Sequence, residues 1–454
     1  MRRHLLTGRL GPDDRLAIPA AGDEVPTAFD LVASNKGFDY GIGHALDDLA
    51  KAGVFPTEIG LDLLIFAAHV HAADTRISRV TESQDTWTRE IRLVIPVSDQ
   101  SRWTAGTSVL ERMLNFLTGD RWSVGFRARP PRFESIVRNR PLKLREPPFD
   151  ELSLFSGGLD SLVGSIDLLE AGRVPLLVSH AGEGATSDAQ STLYEGLKKR
   201  YGAVPFDRLR IWMSFPKGFV CDSGSEDTTR GRSFLFIASG VFAGTGLDGP
   251  FTLRVPENGL IALNVPLDPL RLGSLSTRTT HPFYMARWNE LLGLLGIPAH
   301  VENPYWDKTK GEMVAQCANR ALLSQLLPDS LSCSSPTKGR WQRRGVEHCG
   351  YCLPCLIRRA AIRAGLGTDA TTYAVADLAQ HVLDTRQAEG QQVRSFQVAI
   401  DRLQREPDLA ALLIHKPGPL RDQTPAQRTA LAGVYSRGLA EVAVLLANVR
   451  AEPG

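Results

Sequence analysis

Two adjacent glycines in Ser156-Gly157-Gly158-Leu159-Asp160-Ser161 separate a short, largely apolar run, 152–155, from a longer apolar one, 159–171. The first run predicts a buried strand and the second a helix that starts at once. A strand that feeds a helix through so tight a turn belongs in a parallel sheet covered by helices. It also leaves backbone N–H groups unpaired at the helix start, which makes a ready anion site. The glycines let the backbone approach a phosphate with no Cβ between them. Ser156 and Ser161 add hydroxyl donors, and Asp160 in the first helical turn can cap the helix or help hold a magnesium ion.

The surrounding pattern agrees with that reading. Strand signals at 174–179, 208–214 and 251–263 alternate with helical ones such as 189–201, the arrangement of βαβ units. Residues 148–368 therefore read as one α/β unit. Residues 1–147 read as a smaller one, with helices over 43–52, 61–75 and 108–117 and strands over 88–97 and 122–129. It ends in a Pro- and Arg-rich stretch (Arg127, Arg129, Arg132, Arg138, Arg140, Lys143 and Arg145) that reads as a linker, or as a basic run able to touch a phosphate backbone. Residues 369–454 read as a helical extension, with helices over 374–387, 393–405 and 425–449.

Composition sets outer limits. Lys and Arg total 52 against 50 Asp and Glu, a net charge of +2, so the surface as a whole is no magnet for nucleic acid or membrane. The apolar stretches 61–73 and 233–247 fall short of the ~20 residues that span a bilayer, and no hydrophobic region follows the basic N-terminal residues. The expectation is a cytoplasmic protein.

Four of the six cysteines crowd into one segment, with Cys333, Cys349, Cys352 and Cys355 spaced C-x15-C-x2-C-x2-C. Thiolates two residues apart can wrap one metal ion, and the distant Cys333 can close a tetrahedron, which suits a structural zinc. Cys221 and Cys317 lack partners at ligand spacing and read as small core residues. Rival nucleotide motifs fail. No Gly-Lys-Ser/Thr occurs, and the GxGxxG at 244–249 follows a helix rather than a strand, so it reads as a helix end and loop.

The Ser156–Ser161 turn resembles the SGGxDS loop of the PP-loop ATP pyrophosphatases. With the C-x(n)-C-G-x-C-x-x-C cluster it resembles their QueC-like branch, the 7-cyano-7-deazaguanine (preQ0) synthases. Looser likenesses lie at Gly231-Arg232-Ser233 and at Thr309-Lys310-Gly311-Glu312. The resemblance covers residues 148–368. It implies an adenine nucleotide α-hydrolase-like core, ATP, Mg2+ and structural Zn2+ as cofactors, and a ligase that releases AMP and pyrophosphate on forming a C–N bond. The departures are Leu162-Val163 after the loop, Ser179-His180-Ala181-Gly182 after the next strand, and the two flanking units. Such an enlarged chain resembles the QatC-type proteins of the Qat anti-phage systems. That likeness implies deazaguanine chemistry directed to a partner protein of a defence operon, such as its amino terminus.

The implied phosphate contacts are Ser156, Gly157, Gly158, Leu159, Asp160 and Ser161, with His180 at a strand's C-terminal end. Arg232 would neutralise a phosphate or the substrate carboxylate, and Lys310 the leaving pyrophosphate, with Glu312 as its ion partner. Glu257 and Asn258 would read a guanine-like base edge. The acceptor stays open between ammonia and a protein amine, and the product between amide and nitrile. A tRNA-modifying enzyme, a housekeeping preQ0 synthase and a non-catalytic nucleotide-sensing scaffold remain alternatives, and a homodimer is open.

Overall fold

The computed structural model describes residues 2–32, 37–84, 86–139, 141, 147–182, 184–221, 223–226, 228–267, 278–337 and 345–454. In its first part, strands β1 (Arg3–Arg9), β2 (Glu24–Asp30), β3 (Glu90–Val97) and β4 (Arg121–Ala128) form a parallel sheet in the order β2-β1-β3-β4. Helices α1 (Ile42–Lys51), α2 (Glu58–Arg76) and α3 (Arg79–Glu82) connect β2 to β3, and α4 (Gln100–Thr118) connects β3 to β4. Strands β1 and β2 escape a reading of the sequence. Parallel strands are buried on both faces, and β1 carries buried His4 and Thr7 that interrupt its apolar run. His4 Nε2 meets Glu82 at 3.1 Å with both side chains fully buried.

The second sheet carries the glycine turn. Strands β5 (Glu151–Leu154), β6 (Pro175–Ala181), β7 (Asp207–Trp212), β8 (Phe251–Arg254) and β9 (Ala299–Glu302) are all parallel, in the order β7-β6-β5-β8-β9. Their order reverses between β5 and β8, and in such open sheets ligands bind at the carboxyl ends of the strands at that switch point. Helices α5 (Leu159–Glu170), α6 (Gly184–Arg200), α7 (Arg232–Gly244), α8 (Gly259–Leu263), α9 (Pro282–Leu295), α10 (Lys310–Gln316) and α11 (Arg320–Leu326) accompany this sheet. The expected strand over 251–263 stops at Arg254. Pro256 follows, and Asn258 caps α8, its side chain accepting from Ile261 N at 3.2 Å.

One hydrophobic core crosses residue 147: Phe66 of α2 meets Phe234 of α7 with ring centres 5.5 Å apart, and Phe234 stacks on Trp288 at 4.9 Å. A buried polar cluster crosses it as well. Arg89, fully buried, donates to Asp120 at 2.7 Å and to Asp74 at 3.1 Å, and Asp74 accepts from Gly231 N at 2.7 Å, just ahead of α7. Two arginines of the basic run serve the interior in the same way. Arg127 pairs with Asp14 at 2.5 Å and Arg129 donates to Asp62 at 3.0 Å, so these two cannot meet a phosphate backbone. Arg132 and Arg138 are exposed, while Arg140, Lys143 and Arg145 lie outside the described residues.

The C-terminal part comprises α12 (Leu353–Leu366), α13 (Ala388–Arg405), α14 (Leu409–Leu413), α15 (Pro425–Leu446) and the short parallel pair β10 (Leu383–Asp384) and β11 (Ala451–Glu452). Residues 374–387 form no helix. Ala374 N and Val375 N are drawn to His348 O and Cys349 O, and Arg359 takes the carbonyls of Val375 and Ala376. Among the described residues α15 is the one helix long and apolar enough to span a bilayer. Its face of Leu431, Val434, Tyr435, Leu439 and Val442 is buried, most of it in the second hydrophobic core.

Replacing Arg89 by Met removes the shared partner of two buried carboxylates. We expect urea denaturation to show a loss of about 3–5 kcal/mol, the usual cost of stranding a buried charge.

Candidate functional site

The turn after β5 is set by its backbone. Gly157 has φ +81, a conformation that side chains rarely adopt, and a Cβ there would lie 3.1 Å from Gln190 N and Cγ. The serines brace the turn from within: Ser156 Oγ donates to Ser161 Oγ at 3.1 Å and accepts from Gly158 N at 3.3 Å, while Ser161 Oγ donates to Gly158 O at 3.0 Å. A second chain segment lies over the turn. Leu331 N donates to Gly157 O at 2.8 Å, and Leu159 N to Ser332 Oγ at 3.3 Å.

Asp160 and Lys310, 150 positions apart, meet as an ion pair, Nζ to Oδ1 3.0 Å, with both side chains about nine-tenths buried or more. Asp160 does not cap its helix, since Gly158 is the N-cap residue and no side chain caps it. Its other oxygen, Oδ2, accepts from Asn258 Nδ2 at 2.8 Å and Asn258 N at 3.1 Å. Asn258 is fully buried, its amide shared between Asp160 and the cap of α8, so it cannot read a base edge. The end of β8 is thereby fastened to the turn after β5, across the switch point.

Lys310 starts α10, whose first turn is held from outside. Thr309 caps it, with Glu312 completing a capping box, and Glu441 of α15 accepts from Thr309 Oγ1 and, at 3.2 Å, from Gly311 N. Glu312 is not the partner of Lys310: it pairs with Arg437 of α15 at 2.6 Å. The C-terminal helix thus fixes where Lys310 stands.

Glu257 accepts from Thr280 Oγ1 beside this pair. Most of its surface is covered, and burial pushes the carboxyl up to about 7 with a further push from Asp160. Thr280 and Lys310 act against that shift.

At the end of β6, His180 is buried and meets His71 of α2 edge to face at 5.5 Å. Burial holds His180 down at about 4 and His71 at about 3; Arg232 lowers both, so both rings are neutral at neutral pH. Arg232 opens α7 and reaches the space beside Gly182. His180 and Arg232 therefore stand together.

The sequence reading misses His71, Ser332 and Thr280. His71 sits inside an apolar helical run of the other sheet, Thr280 follows a segment with no strand or helix signal, and only adjacency to Cys333 marks Ser332.

The cysteines gather as their spacing predicts. All four sulfurs lie within 4.8 Å of one another, with Cys333 to Cys352 at 3.9 Å and Cys349 to Cys355 at 3.8 Å. Tetrahedral zinc with Zn–S bonds of about 2.3 Å needs S···S separations of about 3.8 Å, so the set fits that ion. Backbone N–H groups of Ser335, Cys349 and Cys352 point at the sulfurs at 3.3 to 3.4 Å, as suits thiolates. Gly350, at φ +88, makes the knuckle, where a Cβ would meet Val375 O at 2.6 Å. Four thiolates would fill the coordination sphere of such an ion and leave it a structural role. Cys317 is buried as expected, but Cys221 is exposed.

No protein-family model matches this chain, and no curated protein matches it.

Two outcomes follow. The protein as purified should carry one zinc per chain by atomic emission, and Cys352→Ser should carry none and melt at lower temperature. Glu257, with a folded value near 7 against an ordinary 4.5, contributes stability that is present below 4.5 and lost as pH rises through 7. In Glu257→Gln, the pH dependence of unfolding over that window should flatten.

Proposed function

We propose that this chain is an ATP-dependent ligase of the PP-loop type. It would join AMP to the carboxylate of a 7-deazaguanine and pass the acyl group to an amine. The observation that carries the reading is the buried Lys310–Asp160 pair beside the glycine turn, at the switch point of a parallel sheet. The deazaguanine and the acceptor come from the resemblance of the turn and cysteine spacing to the QueC-like branch.

In this reading the backbone N–H groups at the start of α5 hold the phosphates of ATP, and the hydroxyls of Ser156 and Ser332 give up their places there to phosphate oxygens. A carboxylate oxygen of the substrate attacks the α-phosphorus. The bond to the bridging oxygen breaks, and pyrophosphate leaves with the electron pair, its charge met by Lys310 and Arg232. Asp160 is the carboxylate that would help hold a magnesium ion, which would offset phosphate charge.

The amine then attacks the acyl carbon and AMP departs. Glu257, with its carboxyl near 7, is matched to taking the proton the amine loses. The acceptor we favour is the amino terminus of a partner protein in an anti-phage system, which gives the two flanking parts a role in holding a macromolecule. His71 and His180, both neutral, leave the substrate carboxylate free to be recognised by Arg232.

Incubation with ATP, magnesium and 7-carboxy-7-deazaguanine should yield AMP and pyrophosphate. Lys310→Ala and Asp160→Asn should each lower that rate about a hundred-fold or more, the scale of removing one preorganised charge contact. ADP and phosphate as products would contradict the proposal.

A further inference from the structure

A second cavity, of about 280 Å³, opens where the first sheet, the second sheet and the C-terminal part converge. Among the described residues its lining holds three cationic side chains, Arg230, Arg278 and Lys416, and no carboxylate. Arg230 stacks over Trp87 at 3.9 Å and anchors one nitrogen on Thr118 O at 3.1 Å. Arg278 does the same over Phe116, at 4.6 Å, with a nitrogen on Phe116 O at 2.7 Å. Each guanidinium is therefore held by an aromatic ring and a carbonyl, and among the described residues no carboxylate hydrogen-bonds its remaining N–H donors. Asp120, Asp74 and Glu226 act on Arg230 through space, but among the described residues nothing comparable acts on Arg278. Burial lowers the Arg278 guanidinium, and Arg230 facing it lowers it further.

Of two neighbouring planar cations only Arg230 has carboxylates acting on it among the described residues, so the pair is costly to hold, which is what a site for an anion requires. A single carboxylate would engage one fork only, whereas a phosphomonoester or diphosphate carries about two charges or more and accepts from both forks. Trp87, Phe116, Pro266 and Pro417 add apolar wall beyond the cations, and the volume exceeds what a bare phosphate fills.

We infer that this cavity binds a phosphate-bearing small molecule, separately from the glycine turn. The chain links it to the first site, since Arg230 precedes Arg232 by two residues and Arg278 precedes Thr280 by two. The inference does not rest on the ligase reading, since it concerns binding alone.

Calorimetric titration of the full chain with pyrophosphate and with AMP tests it, with adenosine and acetate as controls. Both phosphates should bind and both controls should not. Arg278→Ala and Arg230→Ala should each weaken binding about tenfold or more. Lys416→Glu, at an exposed position that folding does not need, should weaken it as well. Gly157→Val, which blocks the glycine turn, should leave this binding in place. Four results would overturn the inference: no phosphate binding at millimolar concentration, equal binding of acetate, affinity unchanged in the arginine and lysine variants, or binding lost only in Gly157→Val. Failure of the ligase reading would show instead as absent turnover with these titrations intact.

Discussion

A buried lysine is tolerable only beside a counter-ion, and Lys310 finds its own in Asp160 at 3.0 Å. The rest of the site is arranged around that pair. Asp160 rises from the turn after β5, Lys310 opens α10 beyond β9, and Asn258 after β8 spends its amide on the second oxygen of Asp160. Three strand ends at the switch point are thereby tied through one carboxylate. Stranding either charge would cost about 3–5 kcal/mol, so the three segments hold one arrangement.

The two flanking parts act on that arrangement from opposite sides. From the C-terminal part, Glu441 and Arg437 of α15 clamp the first turn of α10 and so aim Lys310. From the first part, Asp74 holds Gly231 N ahead of α7, and α7 presents Arg232 beside His180 and His71. The cysteine cluster reaches the same place by a shorter route. Cys333 adjoins Ser332, whose Oγ accepts from Leu159 N and whose own N–H is held by His348 Nε2 at 3.2 Å. A zinc ion on these thiolates would therefore fix the segment that covers the glycine turn, as well as the knuckle itself.

Local features were legible in the sequence and distant pairings were not. The glycine turn announces itself because a strand, two glycines and a helix follow within a few residues, and the knuckle because three of its ligands lie within seven residues. The partner of Lys310 could not be read, since Glu312 is the nearer carboxylate and only the packing of α15 diverts it to Arg437. The helix expected over 374–387 fails for a similar reason, its backbone groups being taken by the knuckle and by Arg359. Strand β1 hides because burial on both faces removes the alternation that marks a half-exposed strand, and β2, an edge strand, because its alternating inward face carries polar Thr27 beside Phe29 and its outward face Pro26. The boundary at 147, plausible from a proline-rich stretch, is crossed by one hydrophobic core and by the Arg89 cluster.

The central claim is that ATP is opened at its α-phosphorus by a carboxylate, with the Lys310–Asp160 pair at hand. Exchange of labelled pyrophosphate into ATP measures that step alone, because it needs a reversible acyl-adenylate and no acceptor amine. With 7-carboxy-7-deazaguanine present, label should enter ATP in the wild-type protein and fail to enter in Lys310→Ala. Exchange that proceeds equally well in Lys310→Ala, or none in the wild type while ATP still yields ADP, would contradict the account.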